Sequence, residues 1–267
     1  MARFEQNVHS DFLVHWTGRD IDRDDPDWDS PRYKMSDDIA RRYAERLASI
    51  LEHGFWMTSE PSRQVTVKPH PPFTVPSVVR TCFTALKLSA SRQHAHEYGR
   101  LGVGVKRPFL VNRNGRTLVY YAWSDNTQDP FVHACLTDLK ERELLGYLQP
   151  MNRTTQTRTS GKMVFDLFEE TEWRIIYRPE LEVLGYARDP PTNWFTLPGQ
   201  TPRKLLPLDG WLAIIVYPSI EVKALCRLPD GPVVKAINRI KSTPDHGNRV
   251  EPGNWPAELN LDDCRNF

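Results

Sequence analysis

The spacing of apolar and polar residues near the start of the chain predicts a strand, an acidic loop and a long helix. An apolar run from Phe12 to Trp16 is typical of a buried strand, and the charged segment 18–29 that follows is expected to form a loop. Ser36 can accept a hydrogen bond from the first turn of a helix that begins at Asp37. The apolar face of this helix comprises Ile39, Tyr43, Leu47, Ile50 and Leu51.

The rest of the chain mixes strand-like and helix-like patterns. Val78 to Phe83 is typical of a strand, Ser89 to Tyr98 of a short helix and Phe131 to Leu148 of a longer helix. Further elements are expected at 102–106, 117–123, 164–168, 172–177 and 211–217 (strands) and at 232–241 (helix). Because strands and helices do not alternate strictly, we predict an α+β fold, with a mixed, mostly antiparallel sheet and flanking helices. We expect one domain over residues 1–241 and a loosely packed C-terminal tail over residues 242–267.

The charges of the chain nearly cancel. Lys and Arg number 35 against 34 Asp and Glu, a formal net charge of +1, so the protein has no overall field that would attract nucleic acid or an acidic membrane. One local exception is the polar loop predicted at 154–162, where Arg158 and Lys162, with Arg153 just before them, can contact phosphates. The alternative is an ordinary solvated loop, so nucleic acid is a candidate partner only through this segment.

The sequence predicts a cytoplasmic protein with reduced cysteines and no bound metal. The cysteines, which stand too far apart for a CxxC motif and which we interpret as thiols, are Cys82, Cys135, Cys226 and Cys264. The first residues include no apolar stretch of signal length, and no run of about 18 apolar residues occurs, so we expect a cytoplasmic protein without membrane contact. His94 and His96 would point about 200° apart on a helix, and we expect no metal.

The segment from Gly99 to Lys106 is rich in glycine and ends in a lysine. Neither Ser nor Thr follows the lysine, and the segment leads into a strand instead of opening a helix, so the pattern does not favour a phosphate-binding loop. Close approach of neighbouring backbones within a sheet explains these glycines better.

Four segments, in order, resemble those of the AbiGi-type abortive phage resistance proteins. They are Leu13-Val-His-Trp-Thr17, then 47–54, then 82–104 with its Cys-Phe-Thr and Tyr-Gly-Arg-Leu-Gly-Val-Gly stretches, then Glu169-Glu-Thr-Glu-Trp-Arg174. The late strand at 211–217 also fits the family, whereas Leu86 stands where the family has proline and 20–32 looks like an insertion. The resemblance implies an antiviral defence protein of an abortive infection system, an antitoxin paired with a nucleotidyltransferase-like toxin. It implies no chemical activity.

The order of several polar residues is similar to that in ADP-ribosyltransferases, which cleave NAD. In those enzymes a late-strand glutamate stabilises the oxocarbenium character that builds on the ribose, and Glu172 is the candidate catalytic residue here. Arg174, two residues later on the same face of the strand, would hold the pyrophosphate. The residues expected around the NAD cofactor are His15, Thr17, Phe83, Thr84, Tyr98 and Arg174.

A second interpretation of the same residues involves no catalysis. Glu172 and Arg174 can simply pair with each other while Trp173 packs on the opposite face, and His15 can be a core histidine. The protein would then bind and neutralise a partner, either a cognate toxin or a phage component. An open cleft around His15, Tyr98 and Glu172 would favour catalysis, and burial of Glu172 against Arg174 would favour partner binding.

Overall fold

The structure is a computed structural model. It describes residues 12–28, 30, 33–65, 73–85, 91–121, 134–135, 138, 141–150, 152–157, 161–166, 171–191, 204–242 and 256–266. The strands, numbered β1 to β15 along the chain, are Phe12–Thr17, Phe55–Glu60, Arg63–Val65, Phe73–Val75, Val78–Thr84, Leu101–Lys106, Arg116–Thr117, Val119–Tyr121, Leu148–Pro150, Asn152–Thr157, Gly161–Asp166, Glu172–Ile176, Lys204–Leu206, Leu212–Tyr217 and Ala257–Asn260. The α-helices, numbered α1 to α7, are Arg19–Asp22, Asp37–His53, Ser91–Tyr98, Arg107–Asn112, Pro179–Val183, Ile220–Cys226 and Pro232–Ser242.

The protein is an α+β protein with a large mixed, mostly antiparallel sheet and several helices, which confirms the fold class at this level. The chain forms two compact units. Unit 1 comprises residues 1–55, 85–109 and 206–267, and unit 2 comprises residues 56–84 and 110–205. That residues 1–241 make one domain stays a prediction.

The strands of unit 1 follow the order β1, β6, β14, β15. β6 is antiparallel to both β1 and β14, and β15 runs parallel to β14. A Cβ atom on Gly104 would clash with Cγ2 of Ile214, and one on Gly102 would lie 3.0 Å from Cγ1 of Val14. The expectation that these glycines allow close approach within a sheet is therefore confirmed.

Helix α2 is the long amphipathic helix that the sequence predicts. The Ser36 hydroxyl accepts a hydrogen bond from the Ile39 amide at 3.3 Å. The helix ends at His53 and is followed by Gly54, whose φ of 102° favours glycine. The predicted apolar face is buried, and within unit 1 it packs against α6 and α7.

Residues 256–266 are packed more closely than the loose tail expected over 242–267, and residues 243–255 lie outside the described residues. β15 pairs with β14 through Ile214 and Ala257, and Leu261 and Cys264 are buried in a cluster with Val14. The few apolar residues of this segment are separated by polar ones, so the sequence shows no clear strand pattern there. The short strand is stabilised by its pairing with β14, which local sequence does not report.

Unit 2 is built around β5, which is antiparallel to β2 and β12, while β12 also pairs with β7. A satellite core consists of Val75, Tyr121, Leu145 and Leu148. Residues 154–157 and 161–162 of the expected basic loop instead belong to strands β10 and β11, which pair antiparallel from Asn152–Asp166 to Thr157–Gly161. Residues 158–160, with the candidate phosphate contact Arg158, lie outside the described residues. The reason is that β-branched residues, here Thr154, Thr155 and Thr157, favour a strand over a loop.

Two further predictions of local structure were wrong. The acidic segment 18–29, which was expected to be a loop, contains helix α1 near its start. Ile21 of this helix is buried, so the segment packs on the core. The helix expected at 131–148 is wrong at its C-terminal end, which is a 3₁₀ turn over Arg142–Tyr147 followed by β9. Residues 134, 135 and 138 are helical as expected, and the other residues from 131 to 140 lie outside the described residues. Leu145 and Leu148 are buried, so apolar spacing alone did not distinguish the two conformations.

Candidate functional site

The candidate catalytic residue Glu172 lies at the start of β12 and is bound by arginines. Its Oε1 accepts a hydrogen bond from Arg174 Nε at 2.7 Å, and its Oε2 accepts one from Arg174 Nη2 at 3.2 Å. Arg80 Nη1, from the neighbouring strand β5, lies 3.2 Å from the same Oε1. Glu172 is 9% exposed, so both of its oxygens are engaged in a nearly solvent-free setting.

The other N–H groups of Arg174 donate hydrogen bonds to residues of unit 2. Its Nη1 donates to the Gly146 carbonyl at 2.5 Å, and its Nη2 donates to Gln149 Oε1 at 3.0 Å. Glu60 adds a second carboxylate 3.9 Å from Nη1 and is itself paired with Arg80 at 2.8 Å. The guanidinium therefore donates from all three nitrogens to protein groups.

These contacts determine the charge states in the group. Burial acts to raise the pKa of Glu172, but the charge and hydrogen bonds of Arg174, together with Arg80, hold this pKa below its ordinary value. Burial acts to lower the pKa of Arg174, and the Glu172 carboxylate raises it above its usual range. Burial raises the pKa of the adjacent Cys82 to about 12, so this thiol stays protonated and unreactive.

The other predicted site residues of unit 2 belong to the sheet around β5. Thr84 is the direct register partner of Glu172, and Phe83 is the partner of Trp173. Phe83 is 1% exposed, so its ring is part of the core and presents no open face for a nicotinamide ring to stack on. Glu172, Arg174 and Thr84 are brought together, but as packed neighbours on strands.

The predicted residues of unit 1 lie on β1 and at the end of α3. The ring of His15 packs edge-on against Phe55 with centroids 5.2 Å apart, and the Thr17 hydroxyl accepts a hydrogen bond from Arg46 at 3.2 Å. Tyr98 is partly exposed and stacks on His94 with centroids 5.8 Å apart. Of this set, Tyr98 presents the most accessible ring.

A second buried arginine, Arg100 in unit 1, was not among the predicted site residues. Its Nε lies 2.6 Å from Asp22 Oδ1, and its Nη2 lies 2.5 Å from Asp25 Oδ2. The rings of Trp28, Tyr33 and Tyr43 lie beside the guanidinium, with centroids 5.1, 5.3 and 5.4 Å from its central carbon. Arg100 is 1% exposed and is therefore enclosed by carboxylates and aromatic rings.

The carboxylates around Arg100 come from one segment, residues 18–28, which we call the acidic strap. The strap leaves β1 at Gly18, whose φ is 109°, and a Cβ on Gly99 would clash with the backbone at Gly18 and Arg19. Glycine at both positions lets the strap begin directly against the end of α3.

Burial is the largest cause of the raised pKa values of Asp22, Tyr33 and Tyr43 around Arg100. It raises the pKa of Asp22, although Arg100 and a hydrogen bond from the Tyr43 hydroxyl act in the opposite direction. Burial and a hydrogen bond to Asp25 raise the pKa of Tyr33 to about 12. The second oxygen of Asp22 is buried without a hydrogen-bond partner, so this carboxylate is only half satisfied.

The sequence contained one signal for this group. A run of Asp at alternate positions with one Trp is unusual for a solvated loop, but its arginine partner lies 78 residues later in the case of Asp22. Single-sequence patterns report contacts within a helix turn or between adjacent strand positions, and a pairing over that separation leaves no periodic trace.

The described residues show neither a metal-binding cluster nor a membrane-spanning helix. Across the described ranges, no group of three or more His, Cys, Asp or Glu residues is placed to hold a metal ion. His94 is buried between the rings of Trp16 and Tyr98, and the His96 ring lies 4.5 Å from that of Trp28. No helix in the described part of the chain is both long enough and apolar enough to cross a membrane.

Comparison with known proteins adds no assignment. No protein-family model matches the sequence, and neither a curated protein nor a solved structure matches it.

Proposed function

We propose that this chain is an antiviral defence protein of AbiGi type that acts by binding a protein partner and does not transfer ADP-ribose from NAD. The defence setting rests on the sequence resemblance. The observation that carries the choice of partner binding is the state of Glu172, whose two carboxylate oxygens are bound by Arg174 and Arg80 at 9% exposure.

A catalytic glutamate of the ADP-ribosyltransferase kind must offer a carboxylate oxygen to a ribose hydroxyl. Here NAD would have to displace Arg174 from at least one oxygen of Glu172, and complete removal of one partner from a buried ion pair costs about 3–5 kcal/mol. Arg174 would in addition have to give up its bonds to Gly146 and Gln149 before it could hold a pyrophosphate. These costs favour a structural role for both residues.

One observation favours the alternative, an ADP-ribosyltransferase-like fold with an NAD site. The lowered pKa of Glu172 makes it an ionised carboxylate, and its register partner Thr84 lies on the same face of the sheet. A conformational change that freed Glu172 would give this carboxylate the charge that the reaction needs.

The test measures NAD binding by calorimetry and nicotinamide release for the wild type and Glu172→Gln. This substitution keeps the side-chain shape and removes the charge. Glu180→Gln, at an exposed carboxylate of the same unit, is the matched control. We expect no NAD-dependent release from any of the three proteins, with folding verified by circular dichroism. Release that depends on Glu172 but not on Glu180 would refute the proposal.

The partner side of the proposal is tested separately. A nucleotidyltransferase-like protein encoded beside this chain would be the first candidate toxin, and the two proteins would be co-expressed. We expect them to elute together on size exclusion and the toxin to lose its effect on growth. A toxin that elutes alone and remains toxic would contradict the antitoxin role.

A further inference from the structure

A groove opens on unit 1 at one end of three neighbouring strands. It is lined by Phe12 of β1, Lys106 at the end of β6, Arg107 and Pro108 at the start of α4, and Ala213 of β14, and its volume is about 410 Å³. Sites that hold small molecules in proteins have volumes of about 300–1,000 Å³. Lys106 and Pro108 are exposed, so the groove is open to solvent on their side.

A bulge in β14 supplies part of the groove lining. Leu212 pairs with Val105 and Ile214 pairs with Gly104, so two steps along β14 correspond to one step along β6, and Ala213 is the additional residue. Bulges redirect side chains and are frequent next to functional sites. Because the side chain of this additional residue is a single methyl group, it lines the groove and leaves the space in front of it open.

The lining combines apolar surface with positive charge. Phe12 and Lys106 are direct register partners, so the aromatic side chain and the lysine side chain lie next to each other on one face of the sheet. Lys106 is exposed, and within the described part of the chain it pairs with no carboxylate. None of the five lining residues is acidic. A ligand that pairs with this lysine therefore has to bring the negative charge itself.

Lys106 differs in this respect from the buried cations of the same unit. Arg100 is bound by Asp22 at 2.6 Å, and Arg46 is bound by Asp20 at 2.8 Å, so the charge of each arginine is balanced within the chain. The ammonium group of Lys106 is accessible and borders an apolar groove. An exposed cation beside apolar surface can pair with an anionic ligand without first breaking an ion pair of the protein.

We propose that this groove binds a small aromatic carboxylate, whose ring packs on Phe12 and Pro108 and whose carboxylate pairs with Lys106. The two lining rings offer flat apolar surfaces, which suit an aromatic ring, and burial of that ring removes apolar area from water. The carboxylate stays at the open side of the groove, where Lys106 is exposed. Arg107 borders the same groove and adds to its positive charge. The inference goes beyond the proposed partner binding and does not depend on it.

The experiment measures the binding of 2-naphthoate to the full chain by calorimetry, with 2-naphthylmethanol as a neutral ligand of similar shape. Lys106→Gln removes the cation, and Lys34→Gln, at another exposed lysine of unit 1, is the matched charge control. Ala213→Leu fills part of the groove, and Ala224→Leu, at an exposed position of α6, is the matched control for added volume. Circular dichroism verifies that each variant is folded.

We expect the wild type to bind 2-naphthoate saturably and Lys106→Gln to bind it about fivefold more weakly, which is the range of a partly exposed ion pair. Ala213→Leu should weaken binding by at least about tenfold, because the leucine side chain takes up space that the ring needs. Both controls should stay within about twofold of the wild type. The neutral ligand should bind the wild type and Lys106→Gln equally, since it has no charge to pair.

Absence of saturable binding by the wild type would overturn the inference. An equal loss of affinity in Lys34→Gln and Lys106→Gln would do the same, because the effect would then be one of net charge. Tighter binding of decanoate, an aliphatic carboxylate of similar size, would show that the aromatic assignment is wrong. If Ala213→Leu does not fold, the comparison of the two lysine variants decides. None of these measurements involves NAD or a protein partner, so this inference and the proposed function can fail separately.

Discussion

Two buried arginines, one in each unit, hold carboxylates in different ways. Arg174 binds Glu172, two residues away on the same strand, and completes its hydrogen bonds on Gly146 and Gln149. Arg100 binds carboxylates of a segment more than seventy residues earlier and is otherwise surrounded by aromatic rings. The first group is self-contained within a sheet, whereas the second attaches a separate segment, so only the second can release a part of the chain.

The largest effect should come from the self-contained group. Arg174→Met leaves the Glu172 carboxylate buried without its main partner, and we expect the free energy of unfolding to fall by about 3–5 kcal/mol. Urea unfolding followed by circular dichroism measures this change. The double variant with Glu172→Gln should recover much of the loss, because neither charge is then left unpaired. A double variant as unstable as the sum of the two single variants would mean that the pair is not what stabilises β12.

Loss of the other arginine should act more locally. Arg100→Met leaves Asp22 and Asp25 without their cation, so we expect the acidic strap to detach before the rest of unit 1 unfolds. Trypsin cleavage after Arg23, timed by mass spectrometry, should accelerate by at least about tenfold, which corresponds to a little over 1 kcal/mol of lost local stability. Asp38→Asn, at an exposed ion pair with Arg41 on α2, serves as the control and should change the rate little. An unchanged cleavage rate in Arg100→Met would show that the strap is held by other contacts.

The smallest effect is the change in folding stability as the pH falls. Protonation of Glu172 should lower the stability, whereas protonation of Asp22 should raise it. The pKa of Glu172 is depressed below 4.5, so its stabilising contribution is present above that pH and is lost as the pH falls through the folded-state value. The pKa of Asp22 is raised above 3.8, so the folded state takes up its proton first and gains relative stability as the pH falls through the raised value.

Urea midpoints between about pH 3 and pH 7 separate these contributions when Glu172→Gln and Asp22→Asn are compared with the wild type. As the pH falls, Glu172→Gln should lose less of its free energy of unfolding than the wild type does. Asp22→Asn should lack the stabilisation that the wild type gains at pH values above 3.8, where Asp22 becomes protonated in the folded state. The same pH dependence in both variants would remove the distinction between the two groups.

The contrast also explains what the sequence could and could not predict. The cap at Ser36, the apolar face of α2 and the pairing of Glu172 with Arg174 are local patterns, and each was predictable. The partners of Arg100 and the pairing of β15 with β14 depend on residues distant in the sequence, which no periodicity reports. The candidate NAD residues share an order along the chain, but burial, which decides whether Phe83 or Glu172 can meet a ligand, is a property of the packed sheet.

The position of β6 has a consequence for biosynthesis. This strand lies between β1, which precedes it, and β14, which is translated more than a hundred residues later. Until residue 217 has left the ribosome, the β14 side of β6 has no strand to pair with, and an unpaired strand edge favours association with other chains. Nascent chains that stall before this point should therefore depend on chaperones more strongly than chains that already contain β14.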